Sequence, residues 1–147
     1  MVLKVIKAVW FISLLVATAV LLYVYAGLPE TVELGARIRA GRSVFFYLVL
    51  AVFGALNALA FVTRKLFQQQ PPVQTWYFGM LTFFHLFAIV ALSYINLANG
   101  LEKYDYDRMG LLINGSVALL LVWAVGYPVL HFAQKKVLIQ TDHKAID

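Results

Sequence analysis

The chain has no cysteine. That removes disulfides, thiolate metal sites, covalent haem attachment and a thiol nucleophile from consideration. Charge is scarce too: 13% of the 147 residues, against roughly 25% in soluble domains. Acid is scarcer still. Only seven residues are Asp or Glu, and none lies inside a long apolar stretch. Acid–base pairs and carboxylate proton paths therefore have no raw material at depth. Phosphate loops, nucleophile elbows, metalloprotease helices and nucleic-acid motifs are missing as well, so an enzyme is not expected.

What fills the chain is apolar. Hydrophobic residues make up 63%, and mean hydropathy is +0.82. Four runs stand out, at 5–28, 44–63, 76–98 and 109–132. A bilayer core needs about 20 apolar residues in a helix, and each run reaches that length. Lys7 is the one charge placed inside any of them. The runs are apolar on all sides, as lipid-facing helices must be. The expected fold is all-α: a single transmembrane domain of four helices, 1–147, with a short tail at 133–147. Its first partner is the lipid bilayer.

Consecutive connections must lie on opposite sides of the membrane. One side holds Lys4, Lys7, Arg64, Lys65, Lys135, Lys136 and Lys144, and the other Arg37, Arg39, Arg42, Lys103 and Arg108: seven basic residues against five. The positive-inside rule then predicts that both termini are cytoplasmic. The net charge of +5 is a topological signal, because these residues sit at helix ends and form no patch for nucleic acid. Trp10 and Trp76 are expected at the cytoplasmic interface, and Tyr23, Tyr25, Tyr94, Tyr104 and Tyr106 at the outer one.

Between the runs the punctuation is local. Pro29 ends the first helix and Ser43 is the expected cap of the second. Pro71-Pro72 break the chain before Thr75, the expected cap of the third. Asn99-Gly100 signals a turn. Pro128 predicts a kink near 124–128. Small residues at four-residue spacing (Ser13/Ala17, Ala51/Ala55, Gly54/Ala58 and Gly110/Asn114/Ala118) predict close helix packing within the chain.

His85 is the sharpest feature. It lies about ten residues into its run, roughly 15 Å deep at about 1.5 Å per residue. Thr82, His85, Ile89, Ser93 and Asn96 follow helical spacing and are expected on one protein-facing side. Asn57 lies at similar depth, and a His85–Asn57 hydrogen bond is the expected pairing. The site is either a neutral imidazole fixing bundle geometry or a contact for a ligand or proton. Bis-histidine haem through His131 is disfavoured, since helix rise puts the two rings roughly 8–10 Å apart in depth. The outer segment Glu102, Tyr104, Asp105, Tyr106 and Asp107 is a solvated loop or a docking surface for a partner. Lys103 and Arg108 interleave its acids and argue against a calcium cage. No cofactor is expected.

The stretch Tyr25-Ala26-Gly27-Leu28-Pro29-Glu30-Thr31-Val32, followed by Ser43-Val44-Phe45-Phe46-Tyr47 and Asn57, resembles a bacterial membrane domain of uncharacterised function. That domain occurs in peptide-toxin immunity proteins and in stand-alone four-span proteins of Bacteroidetes-like bacteria. Tyr104-Asp105-Tyr106-Asp107 and the Gly126-Tyr127-Pro128 segment are also similar to the stand-alone group. Where the immunity-associated domain carries a His-Phe-Asn-type segment, this chain reads Glu33-Leu34-Gly35-Ala36-Arg37. The resemblance implies a small inner-membrane protein and supplies no activity.

Three functions follow as expectations. The first is a non-catalytic accessory or scaffold subunit of a larger inner-membrane complex, partnered by other integral membrane subunits. The second is a small-molecule, lipid or toxin-peptide binding (immunity-like) protein with a midplane site at His85, Asn57 and Thr82. The third is a proton-coupled carrier.

Overall fold

A computed structural model describes residues 2–34, 37–100 and 107–144, with the backbone alone at 107–108 and 130–144. Four helices account for most of it: α1 (Val2–Gly27), α2 (Arg42–Leu66), α3 (Pro71–Ala98) and α4 (Asp107–Lys144). Each contains a stretch long and apolar enough to cross a membrane, Met109–Val129 in the case of α4. The body of the described chain is thus all-helical, and its four apolar helices fit a multi-pass membrane protein. The addition is a small antiparallel hairpin of β1 (Thr31–Glu33) and β2 (Arg39–Gly41) between α1 and α2.

Several helix ends differ from the sequence expectation. Pro71 and Pro72 open α3 and do not precede it, because a residue in the first helical turn needs no N–H partner. Thr75 is accordingly buried inside the helix, and Gln70 is the cap. Gly41, not Ser43, precedes α2, with no side-chain cap. Helix α4 continues past 132 to Lys144. It also runs through Pro128.

Helix α3 is the hub. Phe78, Leu81, His85, Ala88 and Leu92 recur at three- and four-residue spacing and are all buried. This face meets α1 and α2. Helix α1 runs parallel to α3, pairing Lys7 with Gln74, Ser13 with His85 and Gly27 with Asn96. Helix α2 runs antiparallel, grouping Phe45 with Leu92, Phe53 with Ala88 and Ala60 with Tyr77, and it adds the Tyr77–Leu56 and Asn57–His85 bonds. Apolar layers lie above and below the histidine: Leu21, Val24, Leu28, Val32, Phe45 and Leu92 toward the hairpin, and Ala60, Tyr77, Phe78 and Leu81 toward the other end.

Helix α4 leans on another side of α3, through two tryptophans that exchange hydrogen bonds. Trp123 Nε1 donates to the Trp76 carbonyl at 2.9 Å, and Trp76 Nε1 donates to the Ala124 carbonyl at 3.2 Å. Ala124 is four residues before Pro128, so its carbonyl has lost its usual helical donor. The Trp76 indole satisfies it. Trp76 thus serves an internal bond, and an interfacial belt is not needed to explain its position. The close approach depends on Gly79. A Cβ there would sit 2.4 Å from the Trp123 ring.

The small-residue patterns resolve differently from one another. Ser13 and Ala17 are buried against α3. Ala51, Gly54, Ala55 and Ala58 are exposed, and so are Asn114 and Ala118. Space is open where a Cβ on Gly54 or Gly110 would stand. The expectation of internal packing fails for those faces because α1, not α2, supplies the main contact of α3, while α4 meets α3 through other residues.

At the hairpin end, Val32, the middle residue of β1, is fully buried. Asn99, expected only to turn the chain, behaves as a strand neighbour. Its Oδ1 accepts from the Glu33 N–H at 2.7 Å and its Nδ2 donates to the Glu33 carbonyl at 3.0 Å. The side chain thereby clamps β1 to the end of α3. Arg42 Nη1 donates to the Leu28 carbonyl at 3.2 Å and lies over the Tyr25 ring. Asn99→Leu is expected to free the hairpin, since each lost bond is worth about 1 kcal/mol. Hydrogen exchange at 31–41 should accelerate by roughly tenfold or more, and unchanged exchange there would refute the clamp.

Candidate functional site

His85 is completely buried, in the centre of the α1–α2–α3 interface. Its Nε2 lies 3.2 Å from Asn57 Nδ2. Its Nδ1 lies 2.9 Å from Ser13 Oγ. Ser13 Oγ donates to the Trp10 carbonyl at 2.8 Å, and Trp10 Nε1 donates to Asn57 Oδ1 at 2.9 Å. Asn57 Nδ2 also donates to the Phe53 carbonyl at 2.8 Å. These bonds form a closed circuit through His85, Ser13, Trp10 and Asn57.

The circuit admits one arrangement of protons. An indole N–H can only donate, so Asn57 must present its oxygen to Trp10. The amide nitrogen then faces His85 and donates to Nε2, which must be bare. The Ser13 hydroxyl spends its proton on Trp10, so it accepts from Nδ1–H. A neutral imidazole with its proton on Nδ1 satisfies every member. A second proton on Nε2 would set two donors against each other, and rotating the amide would set Asn57 nitrogen against the indole.

The sequence-derived group divides. Asn57 joins His85. Thr82 and Ser93 do not: Thr82 Oγ1 donates to the Phe78 carbonyl at 3.0 Å and Ser93 Oγ to the Ile89 carbonyl at 2.8 Å, both within α3. Asn96 lies about three turns toward the hairpin, beside Gly27. Spacing on α3 alone groups these three, but the buried face of that helix is drawn by Phe78, Leu81, Ala88 and Leu92. Ser13 and Trp10 are the members that sequence reasoning missed. The available signal was their depth on α1, near that of His85. A tryptophan near a helix end equally fits the interfacial belt, and spacing does not separate the two roles.

At the lower end, Lys7 Nζ donates to Gln74 Oε1 at 2.8 Å and sits over the Phe78 ring. Gln74 Nε2 donates to the Phe67 carbonyl at 2.8 Å. Lys7, the charge within the first run, is thus held by polar groups near the start of α3. Of the proposed outer docking segment, Glu102, Tyr104, Asp105 and Tyr106 lie outside the described residues. Asp107 begins α4, and its side chain, like that of His131, is likewise outside the description.

Two apolar grooves score the surface. One, about 200 Å³, runs between α2 and α3 past Phe45, Val49, Phe53, Phe84 and Ala88. The other, about 570 Å³, runs between α3 and α4 past Leu86, Val90, Leu112, Gly115 and Val122. Neither is lined by His85, Asn57 or Ser13. Among the described residues no group of His, Asp or Glu has the makings of a metal site. No family model, no curated protein and no solved structure matches this chain.

Proposed function

We propose that the chain is a non-catalytic accessory or scaffold subunit of a larger assembly in a bacterial inner membrane, with both termini in the cytoplasm. One observation carries the reading. Among the described residues, no buried side-chain nitrogen or oxygen lacks a hydrogen-bond partner. In the circuit around His85 every donor and acceptor is matched within the chain. A polar interior spent wholly on internal bonds belongs to a part that holds shape.

The outer surface supports the same reading. Only 6% of the α4 span is buried, against 33% for α3. Such a helix leaves its face away from α3 open to neighbouring membrane proteins. The orientation draws support from Lys4, Lys7, Arg64 and Lys65, which fall at the end away from the hairpin. The ligand-binding alternative draws no support at His85 from the two grooves described, since neither is lined by it. It retains the α2–α3 groove, whose apolar walls suit a lipid chain. A proton-coupled carrier draws no support from an imidazole with both nitrogens engaged.

Purification from native membranes in mild detergent tests the proposal. A stoichiometric complex containing a second integral membrane protein is the expected result. Recovery of this chain without any other protein, at native expression level, would overturn it.

A further inference from the structure

Among the described side chains of α4, Asn114 is a polar group that the rest of the fold does not explain. Asn114 lies on the exposed face of the span, about 10 Å from the start of α4 at roughly 1.5 Å per residue. Its amide makes no hydrogen bond among the described residues, whereas Thr82, Ser93 and Ser116 each return to a carbonyl of their own helix. At that depth a bare amide faces hydrocarbon, where an unpaired polar group is costly and a partner across a helix interface is the remedy.

We infer that α4 pairs with α4 of a second copy, the two Asn114 side chains bonding to each other across a two-fold axis. Three features favour a second copy as the occupant. An amide holds both donor and acceptor, so it is complementary to itself: each Nδ2 donates to the other Oδ1. Copies inserted into one membrane share their orientation, so two α4 helices meet in parallel with Asn114 at the same depth in each. Gly110 and Ala118, one turn on either side of Asn114, leave room for close backbone approach; the space beyond Gly110 is open. Leu121 and Val125 continue the same exposed stripe. The face points away from the Ile113, Ser116 and Trp123 side that meets α3.

The absence of cysteine makes the test direct. Single substitutions Leu121→Cys and Val125→Cys should yield disulfide-linked dimers in native membranes, while Leu112→Cys and Leu119→Cys, on the opposite side of α4, should not. Asn114→Leu should weaken association about tenfold, read by energy transfer between labelled copies in liposomes. Asn114→Gln, which keeps donor and acceptor, should recover part of it. Crosslinks at all four positions alike, no crosslink at 121 and 125, or crosslinks there to a different protein would each overturn the inference. So would an Asn114→Leu chain that associates as strongly as the parent. Recovery of a dimer with no other protein aboard would leave this inference standing and remove the larger-assembly proposal.

Discussion

Gly79→Ala is expected to destabilise the protein by about 2–4 kcal/mol, combining overpacking with one lost hydrogen bond. The added methyl would stand 2.4 Å from Trp123 Cζ2 and 2.6 Å from its Nε1. The indole cannot stay, and its bond to the Trp76 carbonyl goes with it. Helix α4 has α3 as its main support, so the loss falls on a single interface. Trp123→Ala removes the clash and the bond together. The two changes must therefore be strongly non-additive: in the Trp123→Ala background, Gly79→Ala should cost little. Unfolding in mild detergent, followed by intrinsic fluorescence, measures the cycle. A Gly79→Ala protein within about 0.5 kcal/mol of the parent would show that α4 does not need this approach.

His85→Leu is expected to cost about 2–4 kcal/mol, although leucine nearly matches the ring in volume. Single hydrogen bonds between membrane helices average only about 0.6 kcal/mol. Most of the loss comes instead from what is left behind. One Asn57 N–H and the Ser13 acceptor remain buried without partners, at about 1–3 kcal/mol for an orphaned polar group. Asn57→Leu orphans the Trp10 indole and His85 Nε2 in the same way. Replacing all four polar members (His85→Leu, Asn57→Leu, Ser13→Ala and Trp10→Phe) leaves no orphan and should cost far less than the sum of the single changes. A strictly additive series would refute the closed circuit. Protein abundance in the membrane should follow stability throughout, because a structural role moves both together.

The helices were legible because lipid imposes the simplest of patterns. Runs of 20 or more apolar residues have few alternatives, and the four spans coincide with α1–α4 to within a few residues at most ends. Depth was legible as well. Counting residues from the charged ends set Asn57 opposite His85, and the structure brings them to 3.2 Å. Partners on α1 were not found, because Trp10 has two roles open to it and spacing cannot choose between them. Gly79 left no trace at all: its role depends on a ring 44 positions away, and no local pattern marks it. The hairpin escaped because three-residue strands carry too few side chains for alternation to show. Thr82 and Ser93 were misplaced for a related reason. Hydroxyls bonded within their own helix need no neighbour, so polarity did not mark the packed side.

The circuit around His85 also has a history during synthesis. Trp10 and Asn57 belong to helices that leave the ribosome ahead of α3. Ser13 reaches the membrane 72 residues ahead of His85, a wait of roughly 4–14 s at about 5–20 residues per second. Apart from α3, helices α1 and α2 share little packing, with Trp10–Asn57 and the Arg42 contacts as their polar ties. Helix α3 is what brings α1 and α2 together, so the circuit closes only when the His85 ring arrives to join Ser13 to Asn57.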